Sequence, residues 1–236
     1  MNLVLLADSA FTSADRAVIR DPRQLEQLQR IRKPQPGEQI LIGRLNGPIG
    51  EARVNHVSRE QIKLHIEQYR EPPRPLPLIL VLALPRPQQL KRILETLTSA
   101  GVKELHLIHS RRVEKSYWQS PRLAEDALRE ALWLGLEQGC DTQMPRVELH
   151  RRFRSFVEDR LPHLRQDRLS LLAHPYQSQP CPAQVGEDTL LVIGPEGGFN
   201  DFEVELLRAQ GIQPVHLGQR ILKTETAVAF LLGRLF

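Results

Sequence analysis

A short proline-rich stretch constrains the fold of this chain more than any other feature. Residues 71–77, Glu-Pro-Pro-Arg-Pro-Leu-Pro, hold four prolines in seven positions. Proline fixes φ and lacks a backbone N–H donor, so this stretch fits neither a helix interior nor a central strand. We interpret it as a semi-rigid, extended linker. A chain of 236 residues is long enough to place one domain on each side of it.

The segment before the linker, residues 1–70, has the pattern of a small β-rich domain. Strands are predicted at 1–7, 39–42, 50–57 and 61–66, and Asn46-Gly47 is a strong hairpin signal. A helix is predicted over residues 22–32, with leucine and isoleucine residues at helical spacing.

Basic residues surround this predicted helix. They are Arg16, Arg20, Arg23, Arg30 and Arg32. Arginines in such a group can bind RNA phosphates, an interaction that is independent of sequence and sensitive to salt. The alternative is an ordinary solvated surface. The formal net charge of +4 and the pI of about 9.3 are compatible with both readings.

After the linker, predicted strands and helices alternate. Apolar runs predict strands at 78–84, 105–108, 169–173, 190–193 and 214–217. Helices are predicted from Pro87 to Gly101, from Ser120 to about Gly139, over 201–210 and over 225–235. This order predicts the α/β class, with a mostly parallel sheet that binds ligands at the carboxyl ends of its strands.

Two loops of this second part follow apolar strands and open helices. The first is 194–200, Gly-Pro-Glu-Gly-Gly-Phe-Asn, where Asn200 and Glu203 have the spacing of a capping box. The second starts at Gly218, and Thr224 is its predicted N-cap. No Lys and Ser/Thr follow the last glycine of the first loop, and Glu196 would repel a phosphate. The loops therefore suit a ligand held by backbone groups, with a positive centre tolerated near Glu196.

These two loops also carry a family resemblance. The motif G-P-E-G-G-F at 194–199 and the motif L-G-Q-R-I-L-K-T-E-T-A at 217–227 closely resemble the RsmE family, the small-subunit ribosomal RNA uridine-N3 methyltransferases of the SPOUT superfamily. The resemblance implies a PUA-like β-barrel at 1–70 that binds RNA, the linker at 71–77, and a SPOUT-type trefoil-knotted parallel-sheet domain at 78–236. It also implies S-adenosylmethionine as cofactor, a homodimer, and methylation of N3 of a specific uridine in 16S ribosomal RNA.

The resemblance implies roles for particular residues. The cofactor is expected to contact Leu172, His174, Gly194, Glu196, Gly198, Leu217, Gly218, Ile221, Leu222 and Thr226. Glu196 and Glu225 are the acidic candidates for sulfonium partner or base, and the alternative for each is a structural carboxylate. Arg220 is expected to stabilise charge on the uracil oxygens or to hold a phosphate, and its alternative is a structural salt bridge.

The basic segment with Arg111, Arg112 and Lys115 also resembles the family, and we predict that it contacts RNA. The chain departs from the family pattern at Asp141, where the family has arginine. An acidic side chain cannot bind phosphate in that place. Either Arg146 or another arginine substitutes, or the target nucleotide differs from the usual uridine.

Two further functions stay open at the sequence level. One is a non-catalytic RNA-binding protein that kept the fold, and the other is a nucleotide-binding enzyme that uses the glycine loop for phosphate. Cys140 and Cys181 lack metal-ligand spacing, so the sequence predicts no metal site, and we expect reduced, cytoplasmic thiols. We also expect no signal peptide, since the first residues lack a basic segment, and no membrane span, since no apolar run approaches about 20 residues.

Overall fold

A computed structural model describes residues 2–31 and 33–236. The chain forms two compact units. The first comprises Met1–Arg74 and Trp133–Met144, and the second comprises Pro75–Leu132 and Pro145–Phe236. The boundary after Arg74 lies inside the proline-rich stretch. The sequence predicted Trp133–Met144 as part of the second domain. The structure places this segment in the first unit, through contacts between residues far apart in the chain.

The first unit is built on a six-stranded sheet. Its strands are β1 (Val4–Leu6), β2 (Phe11–Ser13), β3 (Arg16–Ile19), β4 (Gln39–Arg44), β5 (Ile49–Val57) and β6 (Ile62–Arg70). They lie in the order β1-β4-β5-β6-β3-β2, in which β1 and β4 are parallel and the other pairs antiparallel. The predicted hairpin at Asn46-Gly47 is confirmed as the turn between β4 and β5, with Asn46 at φ +57°.

Helix α1 (Pro22–Ile31) of this unit follows β3. It begins where the sequence predicted, and Arg32 lies outside the described residues. Leu25 and Leu28 of α1 are buried in a core cluster with sheet residues such as Ile42 and Val54. A 3₁₀ turn, Asp8–Ala10, lies between β1 and β2.

The second unit contains a seven-stranded sheet. Its strands are β7 (Leu78–Ala83), β8 (Glu104–Ile108), β9 (Arg146–His150), β10 (Leu169–Ala173), β11 (Gln179–Pro180), β12 (Thr189–Ile193) and β13 (Gln213–His216). The order is β11-β13-β10-β12-β7-β8-β9, and every adjacent pair is parallel. The predicted α/β class with a parallel sheet is therefore confirmed. Every residue of β7 and β12 is buried, as expected of central strands in a covered sheet.

Helices flank these strands in the chain. They are α2 (Pro87–Ser99), α3 (Glu125–Gly139), α4 (Phe153–Ser155), α5 (Leu161–Leu164), α6 (Asp201–Ala209) and α7 (Thr224–Leu235). A π-helical stretch, Phe156–Arg160, joins α4 to α5, and 3₁₀ turns lie at Lys115–Gln119 and Pro121–Leu123. No helix in the described part of the chain is both long and apolar enough to span a bilayer.

Two predicted helix starts were wrong. The helix expected from Ser120 is split, because the Ser120 hydroxyl accepts from the Arg122 backbone N–H at 3.2 Å and Ala124 is extended at ψ 143°, so α3 begins only at Glu125. Thr224 is the first residue of α7 and not its N-cap. The cap position belongs to Lys223, whose side chain makes no capping hydrogen bond. The sequence had also predicted neither β9 nor the helical segment 153–164.

Candidate active site

A cavity of about 580 Å³ lies at the carboxyl ends of β10, β12 and β13. The loops that follow these three strands form most of its wall, together with Arg112 from the loop after β8. This is the edge at which parallel α/β sheets bind ligands. The cavity falls in the size range of small-molecule and cofactor sites, about 300–1,000 Å³.

The first loop, 194–200, is a tight turn that requires its glycines. Gly198 has φ +73°, and its N–H donates to the carbonyl of Pro195 at 2.8 Å. A Cβ on Gly194 would lie only 3.2 Å from the ring of Phe199, which is buried. The loop backbone can therefore approach a ligand where a larger residue would clash or be strained.

The helix that follows starts with the predicted capping box, which is confirmed. The Asn200 side chain accepts from the backbone N–H of Glu203 at 2.8 Å, and the Glu203 carboxylate accepts from the backbone N–H of Asn200 at 3.0 Å. Two N–H groups at the start of α6 are thus satisfied within the protein. The end of the glycine loop is fixed by this local structure.

Glu196 and Arg112 connect the first loop to its neighbours. Glu196 accepts a hydrogen bond from the backbone N–H of Arg86, the N-cap residue of α2, at 3.0 Å. The positive end of the helix dipole favours the carboxylate there. The Arg112 guanidinium donates to the carbonyl of Gly197. Both side chains also line the cavity.

The second loop, 217–223, forms another part of the wall. Gly218 has φ +115°, and its N–H donates to Nδ1 of His216 at 2.9 Å. Arg220 lines the cavity here and is exposed. Ile221 also lines it and is 72% exposed, a large apolar side chain left uncovered beside the cavity. A ligand in the cavity would find an apolar contact at this position.

The structure brings most of the predicted site residues together. Those that line the cavity are His174, Gly194, Glu196, Gly198, Leu217, Gly218, Arg220, Ile221 and Leu222. Leu172, Glu225 and Thr226 are not among its lining residues. Leu172 is fully buried within β10, so its side chain cannot reach a ligand. The roles predicted for Leu172, Glu225 and Thr226 stay predictions. The geometry supports them less than it supports the roles predicted for the residues that line the cavity.

The sequence did not point to several residues that the structure places in the wall. Tyr176, Gln177 and Arg208 line the cavity, and the Arg208 guanidinium donates to the carbonyl of Gln177 at 2.7 Å. This contact joins α6 to the loop after β10 across 31 residues of chain. A long-range contact of this kind leaves no local sequence pattern. His174 lies beside it, and burial lowers the pKa of its imidazole, with Arg208 lowering it further.

The predicted RNA-binding residues lie at the surface of the two units. Those described as exposed are Arg16, Arg20, Arg23, Arg30, Arg111, Arg112 and Lys115. Arg23 lies 3.9 Å from the carboxylate of Glu137, within the first unit. Burial raises the pKa of that carboxyl, and Arg23 acts in the opposite direction. The prediction for Arg32 falls outside the described residues.

Asp141, the main departure from the family pattern, has a structural role. Its side chain is 3% exposed, and its Oδ1 accepts from the backbone N–H groups of Thr142 at 2.6 Å and Gln143 at 3.0 Å. It therefore fixes the turn after α3. A residue so placed is not at the surface that an RNA target could contact.

Comparison with known proteins identifies the class to which this fold and site belong. Residues 72–235 match a family model described as an RNA methyltransferase domain, so the second unit is of that class. The structure is also similar to a ribosomal RNA small subunit methyltransferase E from Neisseria gonorrhoeae bound to S-adenosyl methionine, with a TM-score of 0.78 and 20% identity over 98% of this chain and 95% of that one.

Two curated relatives carry the same name. One from Treponema pallidum is 31% identical over 206 residues, which cover 85% of this chain and 77% of the relative. One from Synechocystis is 29% identical over 220 residues, which cover 90% of this chain and 70% of the relative. The chain belongs to the ribosomal RNA small subunit methyltransferase E family, RsmE.

Proposed function

We propose that this protein is an S-adenosylmethionine-dependent methyltransferase that methylates N3 of a uridine in 16S ribosomal RNA. The observation that carries the proposal is the pair of glycine-containing loops, 194–200 and 217–223, which face one cavity at the carboxyl ends of β12 and β13. Membership of the RsmE family supplies the substrate class.

The cavity is in the size range of a cofactor site, and its wall offers groups that suit this cofactor. S-adenosylmethionine combines a flat nucleoside with a sulfonium cation, and it needs close backbone approach, an apolar cover and no repelling cation at the sulfur. Gly194 and Gly198 permit the close approach, Leu217 and Leu222 provide apolar wall, and Glu196 supplies a carboxylate at the rim. When bound, the cofactor supplies a methyl group on a positively charged sulfur.

The residues of the chain would hold the acceptor and manage its charge. Methylation at N3 requires that the N3 proton first pass to water or to a carboxylate, which leaves negative charge on N3 and the ring oxygens. This charge decreases as the N3–C bond forms and the bond from the methyl group to sulfur breaks. Arg220, exposed at the cavity wall, is the cation that would stabilise this charge. Glu196 already accepts from the Arg86 backbone, so its role is to position the loop and to balance the sulfonium charge. Holding both reactants in line can lower the barrier by several kcal/mol, up to about 7–11 kcal/mol.

We propose in addition that the six-stranded unit is a PUA-like barrel and that the second unit contains a trefoil knot. The domains would be 1–70 and 78–236, joined at 71–77, except that Trp133–Met144 belong to the first unit. The knot is supported by the strand order, since β13 lies between β11 and β10, both of which precede it in the chain. A homodimer is supported by Phe230 on α7, which is 60% exposed although α7 is otherwise rich in buried apolar residues. Sedimentation that shows only monomer at micromolar concentration would contradict the dimer.

The assay for the proposed function uses purified protein and small subunits from cells that lack this protein. With S-adenosylmethionine, one uridine of 16S RNA is expected to gain a methyl group at N3, detected by mass spectrometry of nucleosides and by a reverse-transcription stop. Free 16S RNA is the parallel substrate. Methylation of another nucleotide would overturn the uridine assignment, and no methylation of either substrate would overturn the enzymatic one.

The two other functions are separated by thermal shift. A protein that is stabilised by S-adenosylmethionine and methylates neither substrate would be a non-catalytic member of the fold. Stabilisation by ATP but not by S-adenosylmethionine would indicate a nucleotide-binding enzyme. The proposed enzyme is stabilised by S-adenosylmethionine alone and belongs in the cytoplasm, where its free Cys140 and Cys181 stay reduced.

A further inference from the structure

Three side chains converge at the edge of the second sheet that lies away from the cavity. His106 is on β8, and Glu148 and His150 are on β9, the last strand of that edge. In the parallel register His106 lies opposite Glu148, and His150 is two residues further along, so the same face carries all three. The imidazole of His106 is fully buried, whereas His150 and Glu148 are 19% and 22% exposed.

The three nearest donor atoms of these side chains form a compact triangle. Nδ1 of His106 lies 3.0 Å from Nε2 of His150, and Oε2 of Glu148 lies 3.7 Å from the first and 3.6 Å from the second. The point equidistant from three atoms at these separations is about 2.0 Å from each, which is the length of a zinc–nitrogen or zinc–carboxylate bond. The ligand atoms are thus already at coordination distance from a common centre.

The surrounding contacts orient this donor set as metal sites usually do. Nε2 of His106 lies 3.0 Å from the carboxylate of Glu104, and since a carboxylate only accepts, we assign the proton to Nε2 and the lone pair to Nδ1. A carboxylate behind a ligating histidine is a common feature of zinc sites. Oε1 of Glu148 is held by Arg146 at 2.6 Å and by Arg160 at 3.2 Å, which leaves Oε2 for the centre. The ring of Phe156 packs 4.6 Å from that of His150.

Without a metal ion, the same atoms form a hydrogen bond. Since His106 donates from Nε2 to Glu104, its Nδ1 accepts the proton of His150 Nε2. To bind a metal ion, His150 has only to carry its proton on Nδ1 in place of Nε2, a change of tautomer without a change of charge. The two arginines are 69% and 39% exposed, so water screens their repulsion of a cation.

We propose that His106, Glu148 and His150 bind one Zn²⁺ ion, with water at the open position on the solvent side. Two imidazoles and one carboxylate form a donor set that zinc accepts and that magnesium and calcium, which prefer oxygen ligands, do not. The ion would join the edge strand β9 to β8. It stands apart from the methyl-transfer cavity, because β7 and β8 lie between β9 and β12, the nearest of the three cavity strands.

No local sequence pattern indicates this site, because its ligands come from two strands about forty residues apart and their spacing matches no familiar zinc motif. Only the pairing of β8 with β9 brings them together. The sequence predicted no metal site, and this proposal differs from that prediction.

The test uses the full chain after removal of metal with a chelator. Titration with Co²⁺ is expected to give visible ligand-field bands that saturate at one equivalent, and Zn²⁺ should displace them. His150→Gln and Glu148→Gln should each weaken Zn²⁺ binding at least tenfold, whereas His163→Gln, which replaces an exposed histidine of α5, should leave it unchanged. Circular dichroism and urea denaturation check that each variant is folded.

The proposal would be overturned by the absence of a saturable Co²⁺ spectrum in the wild type, by Zn²⁺ affinity that both ligand variants retain, or by an equal loss of affinity in His163→Gln. Magnesium at millimolar concentration should not displace Co²⁺, and displacement would rule out the imidazole ligands. Because every readout is metal binding, a failure here leaves the methyltransferase proposal unaffected.

Discussion

The carboxylate of Glu203, at the start of α6, accepts a hydrogen bond from the backbone N–H of Arg111 at 2.7 Å. Its other oxygen closes the capping box with Asn200. Glu203 is 3% exposed, so one buried carboxylate joins the glycine loop to the loop after β8. The next residue, Arg112, reaches the carbonyl of Gly197. The first loop of the cavity is thus held at its middle, through Gly197, and at its carboxyl end, through Glu203, by contacts to residues 111–112.

Replacing this carboxylate should destabilise the fold and loosen the cavity. In Glu203→Gln one side-chain oxygen becomes an amide that cannot accept from a backbone N–H. We expect a loss of about 1–3 kcal/mol in the free energy of unfolding, the cost of an unsatisfied buried polar group, and a higher Kd for S-adenosylmethionine. Urea denaturation measures the free energy of unfolding, and calorimetry measures the Kd for S-adenosylmethionine. Glu187→Gln, at an exposed position outside the cavity wall, is the control and should change stability by less than about 0.5 kcal/mol.

A side chain at Gly198 should abolish cofactor binding and leave the protein folded. The φ of +73° costs a residue with a Cβ about 1–2 kcal/mol, so Gly198→Leu would shift the loop that contacts the ligand. Gly186→Leu is the matched control, because Gly186 is exposed and a Cβ there would meet no atom within 4 Å. Calorimetry that gives the wild-type affinity for Gly198→Leu would remove this loop from the cofactor site.

The parts of the fold that the sequence predicted are those with local causes. The buried strand β12 follows from an unbroken apolar run, and α6 from a capping box and a glycine at its end. β9 has alternating polar residues that bond to one another at the edge of the sheet, a pattern visible only once its neighbour is known. The 3₁₀ turn at Pro121–Leu123 replaced a predicted helix start because Ser120 capped a shorter turn than expected.

The residues of the site, like the elements of the fold, were predictable from the sequence where their placement has a local cause. The positions of the loops 194–200 and 217–222 follow from glycines and strand ends, which are local features, whereas the cofactor and its contact residues follow from the family resemblance. Arg112 and Arg208 act through contacts that span 85 and 31 residues, and the sequence alone could not pair them with Gly197 and Gln177. In the sequence, Asp141 indicates the loss of a substrate contact. Its burial in the structure shows a structural role.

Loss of the guanidinium at position 220 should slow methyl transfer and spare cofactor binding. Arg220 is exposed at the cavity wall, so Arg220→Ala removes a positive charge without opening the core. A single oriented donor of this kind is worth about 10²–10³ in rate. Single-turnover assays with saturating cofactor measure the effect, and Arg129→Ala, at an exposed position of α3 outside the cavity wall, is the control. Equal single-turnover rates for the two variants would exclude the role.

The exposed arginines of the first unit should make RNA binding sensitive to salt. Each contact with a phosphate contributes about 0.7–0.9 to the slope of log Kobs against log salt concentration. Replacing Arg16, Arg20 and Arg30 together by glutamine should lower that slope by about 2–3 and weaken binding to all RNA sequences alike. Filter binding over a range of salt concentrations tests this. A slope equal to that of the wild type would assign these residues to an ordinary solvated surface.

His109 should make the fold less stable in acid. Its Nδ1 accepts a hydrogen bond from the indole N–H of Trp118 at 2.9 Å, which requires the unprotonated atom. Burial lowers the pKa of His109 below its ordinary value of 6.5, with Lys115 acting in the same direction and Glu203 in the opposite one. Below pH 6.5 His109 therefore binds a proton in the unfolded chain but not in the folded chain. The free energy of unfolding falls as the pH decreases towards the folded pKa.

The measurement is the free energy of unfolding by urea at pH 7.5, 6.5 and 5.5. Compared with the wild type, His109→Gln should lose less stability over the acid step, and the difference should stay below about 1.4 kcal/mol per pH unit, the limit for one proton. His56→Gln, at an exposed position of β5, is the control and should follow the wild type. If His109→Gln and His56→Gln show the same pH dependence, the His109–Trp118 hydrogen bond does not contribute to acid sensitivity.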